Sequence, residues 1–185
     1  WSQNKAVSLY AAQESIKLKD ARDKKAADQV KKDSAAKKKN AAKLRNYYAT
    51  NIKKTADVKV TSAQHSLYNT VVKDITALEK KVKTLPSKYT KGIKADIDSM
   101  KTHKKRSLAF MNAVKEGTTL QKNQTAMINY MKAGKADTNI NTKYTTLQKS
   151  ITNMNKKINS VYTPEVRALF KAKYITPAEN TRQNN

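Results

Sequence analysis

One segment of the chain occurs twice, 76 residues apart, and its apolar spacing restricts the fold. Residues 68–82 read YNTVVKDITALEKKV, and residues 144–158 read YTTLQKSITNMNKKI. In each copy the apolar positions are spaced by three and four residues, which is typical of a helix that packs at a shallow angle against neighbouring helices. These positions are Tyr68, Val71, Ile75, Leu78, Val82 and Leu85, and then Tyr144, Leu147, Ile151, Met154, Ile158 and Val161. The repeat therefore predicts two similar coiled-coil-like seams.

Residues that interrupt helices are rare. The chain has three Gly and three Pro, and the first of each are Gly92 and Pro86. Strand signals are absent, so we predict an all-α fold, an elongated rod of serial three-helix bundles with long helices. We expect helices near 3–54, 58–85, 89–116, 118–133, 137–161 and 164–182. The predicted segments are a long N-terminal helical segment (1–57), a first helical repeat unit (58–133) and a partial second repeat unit (134–185).

Capping signals predict several helix ends. Thr163 precedes Pro-Glu, which is typical of an N-cap, a proline at the first helical position and an acid in the first turn. Thr176 precedes Glu179 by three residues and predicts a capping box. Gly134 has the position of a glycine after a helix C-terminus, and Asp137 is a candidate cap for the next helix.

Two features predict interruptions. We expect Gly117 to separate two helices, because glycine is unfavourable in a helix interior. We also expect a break in the first helix near KKDSAAKKKN, where only alanine is available to pack.

The charge of the chain is strongly basic. Lys+Arg number 39 against 14 Asp+Glu, for a formal charge of +25, and only five of the basic residues are Arg. Lysine is a flexible point charge, so this balance favours a polyanion that is recognised broadly. On the two repeated helices, lysines fall opposite the seam or beside it, at Lys73, Lys80, Lys81, Lys149, Lys156 and Lys157. A face that serves only solubility is the alternative interpretation.

The sequence contains no catalytic constellation. There is no Cys and no glycine-rich phosphate loop. His65 and His103 are isolated and expected at the surface, and Asp96 and Asp98 lie on different helix faces. We therefore predict that the protein is not an enzyme and has no metal site or cofactor. No apolar run approaches the roughly 18 residues that span a bilayer, so we expect no membrane insertion.

Nine tyrosines accompany the lysines. Tyr68 and Tyr144 lie on the seams and are expected to pack. The others that we single out lie near helix ends or beside lysines, where an exposed ring can stack on a sugar. They are Tyr47, Tyr48, Tyr89, Tyr130, Tyr162 and Tyr174. As a group they permit contact with carbohydrate.

The region 131–182 resembles the helical N-terminal region of SbsC-type S-layer proteins of Gram-positive bacteria. The residues that carry the resemblance are Lys132-Ala133-Gly134, Val161-Tyr162, Arg167 and Phe170-Lys171-Ala172-Lys173-Tyr174. A fainter similarity covers residues 54–110, where the turn Leu85-Pro86-Ser87-Lys88-Tyr89 is three residues longer and Lys94 replaces the arginine.

The resemblance implies a rod of triple-helical bundles that anchors an S-layer subunit to the anionic secondary polymer of the cell wall. The protein would then be secreted and located at the cell wall. The partner would be an anionic cell-wall glycopolymer, and self-association through the rest of the full-length protein stays open. The implied contact residues are Lys149, Lys156, Lys157, Tyr162, Arg167, Lys171, Lys173 and Tyr174. Their counterparts in the first copy are Tyr89 and Lys94. The helix phase adds three further candidates, Lys73, Lys80 and Lys81.

Two other classes of protein fit the same composition. Phosphate neutralisation by lysine would permit a helical protein that binds nucleic acid without specificity. Against it stand the scarcity of Arg, the absence of a recognised nucleic-acid-binding motif, and a charge spread over the whole length. The third class is a structural spacer or adhesin stalk, in which the lysines only confer solubility.

Overall fold

The computed structural model describes residues 2–134 and 138–184, and these residues are mainly helical. The described residues form six α-helices, in chain order α1 (Ser2–Ala42), α2 (Ser62–Val82), α3 (Lys91–Lys132), α4 (Asn139–Asn159), α5 (Pro164–Phe170) and α6 (Thr176–Gln183). Short π-helical segments lie at Asn46–Thr50 and Lys171–Ile175, and 3₁₀ turns at Thr55–Asp57 and Ser87–Tyr89. No strand occurs in the described residues. The all-α prediction is confirmed, whereas the serial arrangement of three-helix bundles stays a prediction.

The chain divides into two compact units. Unit 1 comprises Trp1–Ala42 with Asn69–Thr102, and unit 2 comprises Lys43–Tyr68 with His103–Asn185. Helices α2 and α3 therefore contribute residues to both. The predicted segments 1–57, 58–133 and 134–185 follow the repeat in the sequence and remain a prediction.

The core of unit 1 is formed by α1, α2 and the beginning of α3. Helix α1 contributes small residues seven positions apart, whereas α2 and α3 contribute larger side chains. The buried residues include Ala27, Ser34, Ala41, Val71, Ile75, Leu78, Ile93, Ile97 and Met100. The break expected near KKDSAAKKKN is wrong, because α1 continues to Ala42. Alanine has the highest helix propensity, and the small buried residues supply packing there without large side chains.

The core of unit 2 contains the whole second seam after its tyrosine. Leu147, Ile151, Met154, Ile158 and Val161 are buried. In the first copy Val71, Ile75 and Leu78 are buried, and the remaining seam residues of both copies are half-buried. The seam prediction is therefore confirmed. Phe110 of α3 meets Phe170 of α5 edge-on at 5.3 Å between ring centroids, an arrangement that aromatic quadrupoles favour.

Gly117 does not separate two helices, and that prediction is wrong. It lies within the continuous helix α3 and is buried. A Cβ atom at this position would lie 2.6 Å from two carbons of the Tyr174 ring. The glycine therefore provides room for an aromatic side chain, and its unfavourable propensity of about 1 kcal/mol is too small to end a well-packed helix.

The capping predictions have different outcomes. The Thr163 hydroxyl accepts a hydrogen bond from the Val166 N–H at 3.2 Å, so its N-cap is confirmed. The capping box at Thr176 is wrong, because the chain is helical from Pro164 to Gln183 and the Thr176 N–H donates to the Lys171 carbonyl, five residues back. The following proline lacks an N–H and crowds the preceding turn, which accounts for a local π turn here.

The end of α3 agrees with the sequence signal. Gly134 has φ +68°, and its N–H donates to the Met131 carbonyl at 2.9 Å. This is the left-handed conformation that glycine adopts readily after a helix. Asp137, the candidate cap of the next helix, lies outside the described residues.

Candidate functional site

The two units differ in how their charges are paired. Nine of the ten ion pairs within 4.0 Å among the described residues lie in unit 1. In unit 2 the described ion pair joins Arg182 to Glu179, within α6. By sequence, unit 2 holds 20 basic and five acidic residues. Its cations are therefore mostly without a carboxylate partner in the described chain, and they are the best candidates for an external anion.

The lysines predicted from the helix phase lie at the surface. The exposed residues of the predicted set are Lys73, Lys80, Lys81, Lys94, Lys149, Lys156, Lys157 and Lys171. Lys81 pairs with Asp33 at 3.8 Å within unit 1. The other exposed lysines of this set have no ion pair within the described residues. Contact with a polymer remains a prediction for each of them.

Tyr89 and Lys94 both belong to unit 1 but have different surroundings. The half-buried Tyr89 donates its hydroxyl hydrogen to Asp20 at 2.8 Å, and Lys88 lies 2.6 Å from the same oxygen. The hydrogen bonds from Lys88 and Tyr89 lower the pKa of Asp20. Tyr89 thus already has a partner within the fold. Lys94 lines an open groove of about 490 Å³ that contains both acidic and basic residues.

Three predicted contact residues stabilise unit 2 instead of facing solvent freely. Tyr174 is 2% exposed beneath Gly117, so its ring is not accessible to a ligand, and we remove it from the candidate set. Burial also raises the pKa of Tyr174. Lys173 is half-buried and donates to the Val58 carbonyl, and Arg167 donates to the Val161 carbonyl at 2.7 Å.

Tyr162 is the predicted residue with the most distinctive surroundings. It lies half-buried in the turn between α4 and α5. The guanidinium carbon of Arg106 is 3.6 Å from its ring centroid, and that of Arg45 is 5.4 Å away. Tyr48 meets the same ring edge-on at 5.8 Å. Cation–π attraction and edge-on packing thus fix Tyr162 between elements that are distant in the sequence.

His103 is half-buried in this cluster, so its assignment as a surface residue is wrong. Its Nδ1 lies 2.9 Å from the hydroxyl of the buried Tyr48. Burial first, and then the charges of Arg106 and Arg45, lower the pKa of His103. The imidazole is therefore neutral at pH 7 and adds no charge beside the two arginines. His65 is exposed, as predicted.

Sequence reasoning did not identify Arg45 and Arg106. The available signal was the rarity of arginine in a chain dominated by lysine. Arginine stacks on aromatic rings and binds carboxylate and phosphate in a bidentate manner, so an isolated arginine is more informative than an additional lysine. Their joint contact with Tyr162 depends on the tertiary fold and is not visible in the spacing.

The described residues contain no group of three or more His, Cys, Asp or Glu side chains that could hold a metal ion. Asp96 and Asp98 lie on different faces, since Asp96 is 4% exposed and Asp98 is at the surface. Within residues 2–134 and 138–184, no helix is both long and apolar enough to cross a membrane.

Comparison with protein families identifies the class of protein. The family model described as the SbsC C-terminal domain matches residues 49–179, which is more than half of the chain. The chain therefore belongs to the SbsC C-terminal domain family. No curated protein and no solved structure matches it significantly.

The family match confirms the resemblance to SbsC-type S-layer proteins. The resemblance was to the N-terminal region, whereas the matching model is described as the C-terminal domain. The family is structural, and S-layers lie at the cell surface. A cell-surface location follows from the family.

Proposed function

We propose that this chain is a non-enzymatic anchoring module of a bacterial S-layer protein that binds an anionic secondary cell-wall polymer. The observation that carries the proposal is the set of cations in unit 2 without carboxylate partners. A cation that already faces water and has no internal partner loses little when it meets an external anion. Many such cations along several helices suit a long polyanion better than a small ligand.

Membership in an S-layer family supports this choice of polyanion, because a surface protein encounters the cell wall. Non-specific binding of nucleic acid remains the alternative that charge alone permits. A spacer or stalk, in which the lysines only confer solubility, is the other alternative. The three functions differ in what the protein binds under the same salt conditions.

Sedimentation with purified cell-wall sacculi tests the proposal. The protein should sediment with intact sacculi and remain in solution with sacculi stripped of their secondary polymer. Binding should fall as salt increases, because lysine contacts with a polyanion release counterions. An acidic protein of similar size serves as the control for trapping.

Three outcomes would contradict the proposal. Equal sedimentation with intact and stripped sacculi would show that the secondary polymer is not the ligand. No sedimentation with either, in low salt, would favour the spacer. Duplex DNA that competes as well as purified polymer at equal charge concentration would favour a generic polyanion surface.

A further inference from the structure

Unit 2 has a groove beside the turn between α4 and α5. The groove has a volume of about 610 Å³ and lies between the segment that includes Asn46–Thr50 and the beginning of α5. Arg45 and Lys53 supply two positive charges, Glu165 supplies one negative charge, and Ile52 supplies apolar surface. Its volume falls within the range of small-ligand sites. The combination of apolar surface and cations suits a ligand with both apolar and anionic parts.

The other end of the same turn lines two further grooves. Their volumes are about 410 and 220 Å³, and both are lined by Lys157 and Ser160. Lys156 and the acidic Glu116 line the larger one, and Lys105 lines the smaller one. The turn therefore begins at Ser160 beside these two grooves and ends at Thr163, which lines the first groove.

Tyr162 lies in the turn between residues that line these grooves, and Arg45 and Arg106 contact its ring. Tyr162 belongs to the turn, and Arg45 both lines the first groove and lies over the Tyr162 ring. Arg106, at 3.6 Å from the ring centroid, is adjacent in sequence to Lys105 of the smallest groove. Neither arginine has a carboxylate within 4.0 Å in the described chain. Stacking holds a guanidinium plane in place while its N–H groups remain available to an anion.

We infer that the three grooves and the Tyr162 cluster form one binding track for a single chain of acidic glycan. The guanidinium groups of Arg45 and Arg106 would bind its carboxylate or phosphate groups, and the apolar floor beside Ile52 would contact a sugar face. This inference rests on the proposed function and assigns it to a defined part of unit 2. The bases of a duplex nucleic acid are stacked in its interior and cannot contact the apolar surface of the groove, so the track favours a single glycan chain.

The first test removes the guanidinium groups. Arg45→Gln/Arg106→Gln should raise the Kd for polygalacturonate, a carboxylated glycan, by at least about tenfold at roughly 0.15 M salt. The matched control is Lys115→Gln/Lys122→Gln, which removes the same charge from exposed positions of α3 that line none of the three grooves. It should raise the Kd by less than about threefold.

The second test fills the groove and keeps every charge. Thr50 is exposed and lines the first groove, so Thr50→Trp should obstruct the groove and weaken polygalacturonate binding.

The same measurements with a glycerol-phosphate teichoic acid distinguish phosphate from carboxylate, since the ligand that binds more tightly identifies the preferred group. The helical signal in the circular dichroism spectrum of each variant should match that of the wild type, because none of the substituted positions belongs to the buried core.

The outcomes separate this inference from the proposed function. If the wild type binds acidic glycan and both the arginine variant and Thr50→Trp bind as the lysine control does, the track is wrong and the anchoring function stands. If the wild type binds neither glycan nor sacculi, the anchoring function is wrong. If Thr50→Trp weakens the binding of duplex DNA as much as it weakens the binding of glycan, the assignment of the track to glycan is overturned.

Discussion

Replacing Gly117 with alanine should destabilise unit 2, although alanine normally stabilises a helix. The substitution gains about 1 kcal/mol in helix propensity. However, the new Cβ would lie 2.6 Å from two carbons of the Tyr174 ring, and Tyr174 is only 2% exposed. Overpacking of a core costs about 1–3 kcal/mol, and contacts this short favour the upper end. We therefore expect a net loss of about 2 kcal/mol in the free energy of unfolding.

A double-mutant cycle in urea, followed by circular dichroism, isolates the contact. Tyr174→Ala alone should cost about 3–5 kcal/mol. In that background Gly117→Ala should stabilise the protein by about 1 kcal/mol, because the ring is absent. The difference from the loss of about 2 kcal/mol in the wild-type background is a coupling energy of about 3 kcal/mol. Gly92→Ala is the matched control, since its Cβ would meet only the flexible end of Lys31. A stabilising Gly117→Ala in the wild-type background would refute the packing explanation.

Three further predictions test other parts of the structure. Asp96→Asn should lower the free energy of unfolding of unit 1 by about 2 kcal/mol, because it removes charge-assisted hydrogen bonds from a lysine and a serine. Burial raises the pKa of Asp96, but those hydrogen bonds outweigh burial, and the pKa of Asp96 is lowered overall. The stabilisation by Asp96 is therefore complete above about pH 4 and is lost as the pH falls through its folded-state pKa. The difference in stability between the variant and the wild type, measured by urea titration, should accordingly disappear in acid. Thr163→Ala should cost about 1 kcal/mol by loss of the α5 cap, and Thr163→Ser should retain most of it; equal losses in thermal melts would contradict the cap. Ile151→Ala should cost about 2–4 kcal/mol, whereas Lys149→Gln should change stability by less than about 0.5 kcal/mol, and similar losses from both would show that the helix phase is wrong.

The fold could be predicted where a local signal is strong. The period of the seams identified buried residues such as Ile151, and the Thr163 cap depended only on neighbouring residues. The errors arose where tertiary packing changes the meaning of a local signal. Gly117 accommodates a ring that is 57 positions away in the sequence, and Thr176 lies inside a helix that continues through a π turn. Propensities of about 1 kcal/mol do not decide such cases.

The candidate site was predictable in its chemistry more than in its residues. Composition indicated a broad polyanion surface, and the exposure of lysines such as Lys149 follows from the helix phase. The cluster of Arg45, Arg106 and Tyr162 requires three segments to meet, and no local spacing encodes that meeting. Tyr174 shows the opposite error, because its position beside lysines suggested exposure while the fold buries it.

The two copies of the repeat differ in a way that contributes to the contrast in charge between the units. In the first copy, Asp74 and Glu79 form ion pairs with lysines of unit 1. At the matching positions of the second copy the chain has Ser150 and Asn155, and α4 contains no acidic residue. The apolar seam needs neither acid, so both copies form the same kind of helix. Those two acids pair with Lys37 of α1 and Lys101 of α3, and α4 has no acid at the matching positions, so the repeat that builds a core in each unit supplies partners for cations only in unit 1.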